Sequence, residues 1–174
     1  MAEMHCIINP MSRDGNSGKL WPKILPRLEE DWKVTAHMTD SVGHATEIAW
    51  ELRKEFQEAE DKPLIVAMGG DGTVNEVASA LRGSDLILGL IPTGSGNDLA
   101  MAHGLHRKKL DLTIETLKNG IDRSVGALRL EGVPAPSVKG YPAPMPRECD
   151  GPINSEGNVV RWVFLESDAG VTSM

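Results

Sequence analysis

Residues 67–76 read Ala-Met-Gly-Gly-Asp-Gly-Thr-Val-Asn-Glu, and this stretch decides the predicted fold. The apolar run at 64–67 suits a buried strand, and apolar residues recur at helical spacing after the glycines, at Val74, Val77, Ala78 and Leu81. A glycine turn between a buried strand and a helix start directs backbone N–H groups and the positive end of the helix dipole toward one point. Glycines also let an anion approach without meeting a Cβ. The stretch therefore predicts a phosphate-binding turn at 69–73, which we call the first glycine turn.

The chain before residue 121 alternates strand-like and helix-like segments. Strands are predicted at 4–8, 34–38, 64–67 and 86–91. Helices are predicted over 19–32 with a kink at Pro26, over 45–56, after 73, and over 99–102 and 110–118. Repeated strand–helix units predict an α/β fold, a three-layer, doubly wound and mostly parallel sheet that forms a nucleotide-binding domain over residues 1–121.

Four polar loops directly follow the predicted strands, at 9–18, 39–43, 69–73 and 92–98. The last of them reads Pro-Thr-Gly-Ser-Gly-Asn-Asp, and we call it the second glycine turn. Ligands of parallel sheets bind beyond the carboxyl ends of the strands. We therefore expect all four loops to meet at one edge of the sheet.

The sequence changes character after residue 121. Strands are predicted at 124–130 and 159–165, and the Pro/Gly-rich segment 131–157 between them reads as a long loop. This is too little for an independent domain. Residues 122–174 are therefore predicted to be the incomplete start of a second, all-β domain.

Composition excludes several classes of function. The 174 residues carry a net charge of −7, with 40% hydrophobic and 25% charged residues, as in ordinary soluble domains. The negative charge argues against a nucleic-acid partner. No apolar run approaches the roughly 18 residues of a transmembrane segment, and the N-terminus lacks the features of a signal peptide. Without either feature we expect a cytoplasmic protein. Cys6 and Cys149 have no metal-ligand spacing.

Two motifs carry a family resemblance. Gly69-Gly-Asp-Gly-Thr73 with Asn75-Glu76, followed by Ile91-Pro-Thr-Gly-Ser-Gly-Asn-Asp-Leu-Ala100, resembles the catalytic domain of the diacylglycerol kinase family, which includes sphingosine kinases and bacterial lipid kinases. The resemblance covers residues 4–130. It implies ATP-dependent phosphoryl transfer to a lipid hydroxyl with Mg²⁺, by a protein that meets its lipid acceptor at a membrane surface. It also implies that most of a second domain is missing, and we expect a homodimer to cover the apolar surface so exposed.

Asp71 is the predicted catalytic residue. It either orients the acceptor hydroxyl or positions Mg²⁺ through water. The structural alternative is an aspartate that bonds the backbone of its own turn.

The remaining site residues are predicted from their loops and from the resemblance. Nucleotide-binding residues are predicted to be Asn9, Ser12, Thr39, Gly69, Gly70, Gly72, Thr73, Asn75, Thr93, Gly94 and Ser95. Acceptor or Mg²⁺ contacts are predicted for Asn97, Asp98 and Glu76. Several of these have local alternatives: Thr73, Asn97 and Asp98 also suit helix caps, Asn75 also suits a loop contact, and Glu76 also suits a favourable charge near a helix N-terminus. The basic run 106–109 is either a solvated loop or a phosphate or headgroup contact.

Two other functions stay open at this point. One is a nucleotide-binding module without catalysis of its own. The other is an NAD kinase, which shares the Gly-Gly-Asp-Gly turn but not the second glycine turn.

Overall fold

The computed structural model describes residues 1–132 and 159–164. Its elements, in chain order, are β1 (Ala2–Ile8), α1 (Ser12–Leu28), β2 (Trp32–Met38), α2 (His44–Glu55), β3 (Leu64–Gly69), α3 (Asp71–Leu81), β4 (Ile87–Pro92), α4 (Asp98–Ala102), α5 (Leu110–Asn119), β5 (Leu128–Gly132) and β6 (Val159–Val163).

Four strands form one parallel sheet in the order β2-β1-β3-β4. The inner strands β1 and β3 read as nearly continuous apolar runs because helices cover both of their faces. On one face, β1 and β3 pack against α2 and α3 through a cluster that includes Ile7, Ala49, Leu52, Ile65 and Val77. On the other face, a second cluster contains Met4, Trp21, Ile24, Leu28, Val66, Met68 and Ile114. The predicted three-layer, doubly wound parallel sheet is confirmed.

The segment between β1 and β2 differs from the prediction. Trp32 opens β2 opposite Ala2, although its spacing from Leu28 also suits a helix. The helix ends at Leu28. Its dihedral angles are helical at Pro26, where we expected a kink, and within α1 they depart from helical values only at residues 13–15. Those three residues are left-handed, so the predicted polar loop survives as a left-handed turn at the start of α1.

The strands β5 and β6 form a separate antiparallel pair. β5 runs from Leu128 to Gly132 rather than over 124–130, and β6 ends at Val163 rather than at 165. Most of the predicted loop 131–157 lies outside the described residues. The boundary at residue 121 stays a prediction.

Two smaller observations bear on the expectations from composition. Burial raises the pKa of the Cys6 thiol to about 12, as expected for an unreactive core cysteine. Within residues 1–132 and 159–164, no helix is long and apolar enough to cross a bilayer.

Candidate active site

The loops that follow the strands lie side by side at the carboxyl edge of the sheet. The N–H of Asn9 donates to the carbonyl of Met68 at 3.0 Å, and the N–H of Thr39 donates to the carbonyl of Ile8 at 2.8 Å. The N–H of Thr93 likewise donates to the carbonyl of Gly69 at 2.9 Å. These bonds extend the sheet hydrogen bonding beyond the strands and bring together the predicted site loops.

The two glycine turns touch backbone to backbone. A Cβ added to Gly70 would lie 3.3 Å from the Cα of Gly94, and a Cβ added to Gly94 would overlap the Cα of Gly70. The Ser12 hydroxyl faces the same place, 3.8 Å from the Cβ position of Gly70. The close approach of the turns therefore requires glycine at position 94, whereas a side chain at position 70 would make a tight contact.

The Asp71 carboxylate joins the turns. Its Oδ2 accepts the N–H of Asn97 at 2.7 Å, and its Oδ1 accepts the N–H of Asp98 at 2.7 Å. A Cβ on Gly96 would lie 2.6 Å from Asp71 Oδ2, so that glycine makes room for the carboxylate. Asp71 thus bonds the backbone of the other turn rather than its own. Each oxygen keeps acceptor capacity for a further donor or a cation.

A second carboxylate lies beside Asp71. The side chain of Asp98 is exposed, and its Oδ1 lies 3.4 Å from the Cβ position of Gly96, on which Asp71 Oδ2 also borders. Among the described residues, no group of three or more His, Cys, Asp or Glu side chains is placed to hold a metal. Carboxylate oxygens are ligands that Mg²⁺ prefers, so these two side chains could contribute to holding such an ion together with phosphates and water.

The first glycine turn leaves its helix start open. Gly70 occupies the N-cap position of α3, and no side-chain hydrogen bond from the described residues caps this end. The Thr73 hydroxyl instead accepts the Asn9 side-chain amide at 3.3 Å. Gly72 is exposed, with nothing within 4 Å of its Cβ position. The N–H groups of the first turn of α3 therefore point, without an intrahelical partner, toward the space above the sheet edge.

The second glycine turn is closed by the chain's own side chains. Asn97, buried and left-handed at φ 69°, accepts the N–H of Gly94 at 2.8 Å and donates to its carbonyl at 2.9 Å. Arg107 Nη1 donates to the carbonyls of Ser95 at 3.0 Å and Gly94 at 3.4 Å. The turn holds its shape through these contacts.

Comparison with known proteins decides the family. The family model of the diacylglycerol kinase catalytic domain matches residues 3–130. The chain belongs to this family. It is 34% identical over 136 residues to a diacylglycerol kinase of Bacillus subtilis, covering 76% of this chain and 43% of that protein. It is 27% identical over 168 residues to an uncharacterized Synechocystis protein, covering 92% of this chain and 39% of the relative.

The structural comparison agrees. A crystal structure of a diacylglycerol kinase from Bacillus anthracis matches with a TM-score of 0.59 and 25% identity, over 74% of this chain and 43% of that one. The chain thus spans less than half the length of the relatives it matches.

Besides Asp71, Asn9 and Thr73, four further predicted residues of this diacylglycerol kinase family member have side chains that already bond to protein. The Thr93 hydroxyl is buried and accepts the Ser17 hydroxyl at 2.6 Å. Glu76 Oε2 accepts the N–H of Gly43 at 3.1 Å, at the start of α2. Asn75 bonds the backbone of β6, and the Asn97 amide is used within its own turn. Thr39 is buried at the loop after β2. The Ser95 residue is exposed at the second turn.

Sequence reasoning missed two residues that shape this site. Ser17 follows the left-handed turn in α1, and no local pattern ties it to Thr93, which is 76 positions away. Arg107 carried one signal, its place in the basic run 106–109, and the structure brings that guanidinium to the second glycine turn.

Proposed function

We propose that the chain provides the nucleotide-binding part of an ATP-dependent lipid kinase that transfers the γ-phosphoryl group to a lipid hydroxyl. One observation carries the proposal: the open start of α3 lies against the second glycine turn, and Asp71 bridges the two. Family membership supports the choice of a lipid kinase, and the acceptor is a diacylglycerol or sphingoid-type lipid.

The first glycine turn is the proposed phosphate cradle. Backbone N–H groups at residues 71–73, together with the α3 dipole, attract phosphate oxygens. Gly69, Gly70 and Gly72 keep side chains out of this space. Around it lie the other proposed nucleotide contacts, which are Asn9, Ser12, Thr39, Thr73, Thr93, Gly94 and Ser95. Those with buried or bonded side chains support the cradle from behind rather than offering free hydroxyls.

Asp71 and Asp98 are the proposed carboxylates for Mg²⁺. Their acidic oxygens border one point, and hard oxygen donors are what this ion prefers. Bound Mg²⁺ would neutralise charge on the nucleotide phosphates. Asp71 is held in place by two N–H donors, so its carboxylate is already oriented toward the cradle before any ligand arrives. We propose that Asp71 orients the acceptor hydroxyl or the metal-bound water.

The test is phosphoryl transfer from labelled ATP to diacylglycerol in phosphatidylcholine vesicles, with Asp71→Asn as the variant. The matched control is Asp111→Asn, an exposed aspartate on α5 that pairs only with Arg27 at the surface among the described residues. We expect the control to match the parent chain and Asp71→Asn to lose about 10²-fold or more in rate. Equal rates for the parent chain and Asp71→Asn would remove Asp71 from the mechanism.

The second candidate is a nucleotide-binding module without catalysis of its own. It is kept because backbone N–H groups at a helix start can hold phosphate without any transfer reaction. Calorimetric titration with ATP–Mg²⁺ beside the transfer assay separates the candidates: binding without turnover supports the module, and turnover by this chain excludes it. Offering NAD as the acceptor tests the NAD kinase alternative.

The location and assembly of the protein complete the proposal. A lipid acceptor places a cytoplasmic kinase at a membrane surface as a peripheral protein, which vesicle co-sedimentation measures. The homodimer remains a prediction, and a monodisperse monomer in light scattering would contradict it.

A further inference from the structure

One side of α3 carries a polar stripe that faces β6. Asn75 and Ser79 lie one helical turn apart on α3, and Arg82 directly follows the last residue of the helix. The Ser79 hydroxyl donates to the carbonyl of Trp162 at 3.1 Å, and the Arg82 guanidinium lies 4.2 Å from the centre of the Trp162 ring. The indole Nε1 of Trp162 is buried and has no hydrogen-bond partner among the described residues, so stacking rather than a bond to Nε1 holds this ring.

The Asn75 amide makes a strand-like pair of hydrogen bonds. Its Oδ1 accepts the N–H of Phe164 at 3.1 Å, and its Nδ2 donates to the carbonyl of Trp162 at 3.4 Å. A residue of a neighbouring parallel strand bonds the same two groups, the carbonyl before and the N–H after the residue opposite. The amide therefore stands in for one residue of a further strand, opposite Val163.

This contact is tied to the proposed site through one turn of helix. Asp71 begins α3 and Asn75 follows four residues later, so both project from the same side of a rigid element. Both polar groups of the amide are used by backbone, which leaves Asn75 poorly placed to serve as a phosphate ligand. Recognition through backbone also makes the contact independent of the side chains of β6.

We propose that Asn75 is a positioning residue that sets the register of β6 against the helix carrying Asp71, rather than a nucleotide contact. The consequence for Asp71 rests on the proposed function, whereas the contact of the Asn75 amide with the backbone of Trp162 and Phe164 does not. The proposal reassigns one residue of the predicted nucleotide-binding set.

Hydrogen exchange of the full chain, followed by NMR, tests the contact directly. In Asn75→Ala we expect the Phe164 amide to exchange about tenfold faster, as for the loss of one hydrogen bond. Asn75→Asp keeps an acceptor for that N–H, and we expect it to restore most of the protection. The matched control is Asn119→Ala, an asparagine on α5 whose side chain donates to Glu115, and it should leave Phe164 unchanged. Unchanged Phe164 exchange in Asn75→Ala would overturn the proposal. So would equally fast exchange in Asn75→Ala and Asn75→Asp.

Nucleotide titration supplies the second readout. If Asn75 only positions β6, the affinity of Asn75→Ala for ATP–Mg²⁺ should stay within about twofold of the parent value, whereas loss of a phosphate ligand predicts about a tenfold or greater weakening. The weaker binding would overturn the proposal. A parent chain that binds no ATP would instead refute the proposed function, and the exchange experiment, which needs no nucleotide, would still decide the role of Asn75.

Discussion

The two glycine turns look alike in sequence and differ in what satisfies their backbone. The first ends in a helix start that no side chain caps within the part of the chain that the structure describes. The second is held by Asn97 from within, by the Asp71 carboxylate from the first turn, and by Arg107 from outside. Glycines therefore serve different purposes in the two places: Gly72 borders open space, while Gly94 and Gly96 leave room for neighbouring atoms of the protein itself.

This difference separates a helix start with open backbone N–H groups from a turn whose backbone is bonded by the protein. A backbone N–H group without a partner costs folding free energy unless water or a ligand accepts its hydrogen bond. Such groups therefore suit the first glycine turn, which is the proposed phosphate cradle. The turn behind it gains from being fully bonded, because it then fixes Asp71 without reorganisation. Substitutions on the two turns should consequently separate stability from binding.

The largest effect is expected from Gly94→Ala. The added Cβ would overlap the Cα of Gly70, and backbone cannot move aside as a flexible side chain does. We expect the free energy of unfolding to fall by about 2–4 kcal/mol, measured by urea denaturation. Gly72→Ala is the matched control: it meets nothing within 4 Å, so its stability should match or exceed that of the parent by up to about 1 kcal/mol. A stable Gly94→Ala protein would refute the backbone contact.

Asp71→Asn should loosen the second turn as well as remove a charge. An asparagine offers one acceptor oxygen where two N–H groups need acceptors, so either the N–H of Asn97 or that of Asp98 loses its partner. We expect a loss of about 1–3 kcal/mol in unfolding free energy. Amide exchange at both residues measures it, and unchanged protection at both would contradict the bridge.

The buried pair of Ser17 and Thr93 tests the support beneath the second turn. Ser17→Ala orphans the Thr93 hydroxyl and should cost about 1–2 kcal/mol of unfolding free energy. Adding Thr93→Val removes the orphan, so the double variant should recover part of that loss. Strict additivity of the two single changes in a double-mutant cycle would show that the hydroxyls are not coupled.

Arg107→Ala should have a smaller effect, about 1 kcal/mol in unfolding free energy, because Arg107 bonds carbonyls at the partly exposed rim of the second turn. Lys108→Ala, the exposed neighbour, should stay within about 0.5 kcal/mol of the parent. Urea denaturation of the two variants gives the comparison. Equal effects would return Arg107 to the solvated-loop interpretation of the basic run.

The smallest effect is a pH dependence that arises in the sheet below both turns. His5 Nδ1 and His37 Nε2 lie 3.0 Å apart, and burial lowers the pKa of both imidazoles from the ordinary value of 6.5. A lowered folded-state pKa means that stability is full above about pH 6.5 and falls as the pH drops, because the unfolded chain then binds more protons. We expect the urea midpoint of His37→Gln to change less than that of the parent chain between about pH 7.5 and about pH 5, a range that brackets the ordinary histidine pKa. Parallel profiles would exclude the pair as the cause.

Local sequence patterns predicted much of the architecture and the meeting of the two glycine turns at one edge of the sheet. Apolar runs and glycine turns are local signals, so the parallel sheet, the meeting of the loops and the place of Asp71 followed from them. The prediction that Trp32 belongs to the first helix was wrong, because its spacing of four residues from Leu28 suits both a continued helix and the start of a strand after a short turn.

The rest depended on contacts between distant positions. The partners of Asp71 lie 26 and 27 residues away, and that of Asn75 lies beyond residue 160. The local sequence around a hydroxyl or an amide side chain does not indicate which distant group it will bond. The sequence therefore identified Thr93 and Asn75 as polar residues near a site, and only the fold revealed that each is already bonded to protein.

The contact between Gly70 and Gly94 has one more consequence. Since main chain meets main chain there, the separation of the two turns is set by van der Waals contact between backbones and not by side-chain rotamers. A change of side-chain rotamers therefore cannot move the two glycine turns apart. A synthetic compound designed for the proposed phosphate cradle has to fit the backbone as it stands, with its acceptors spaced as the oxygens of a phosphate are.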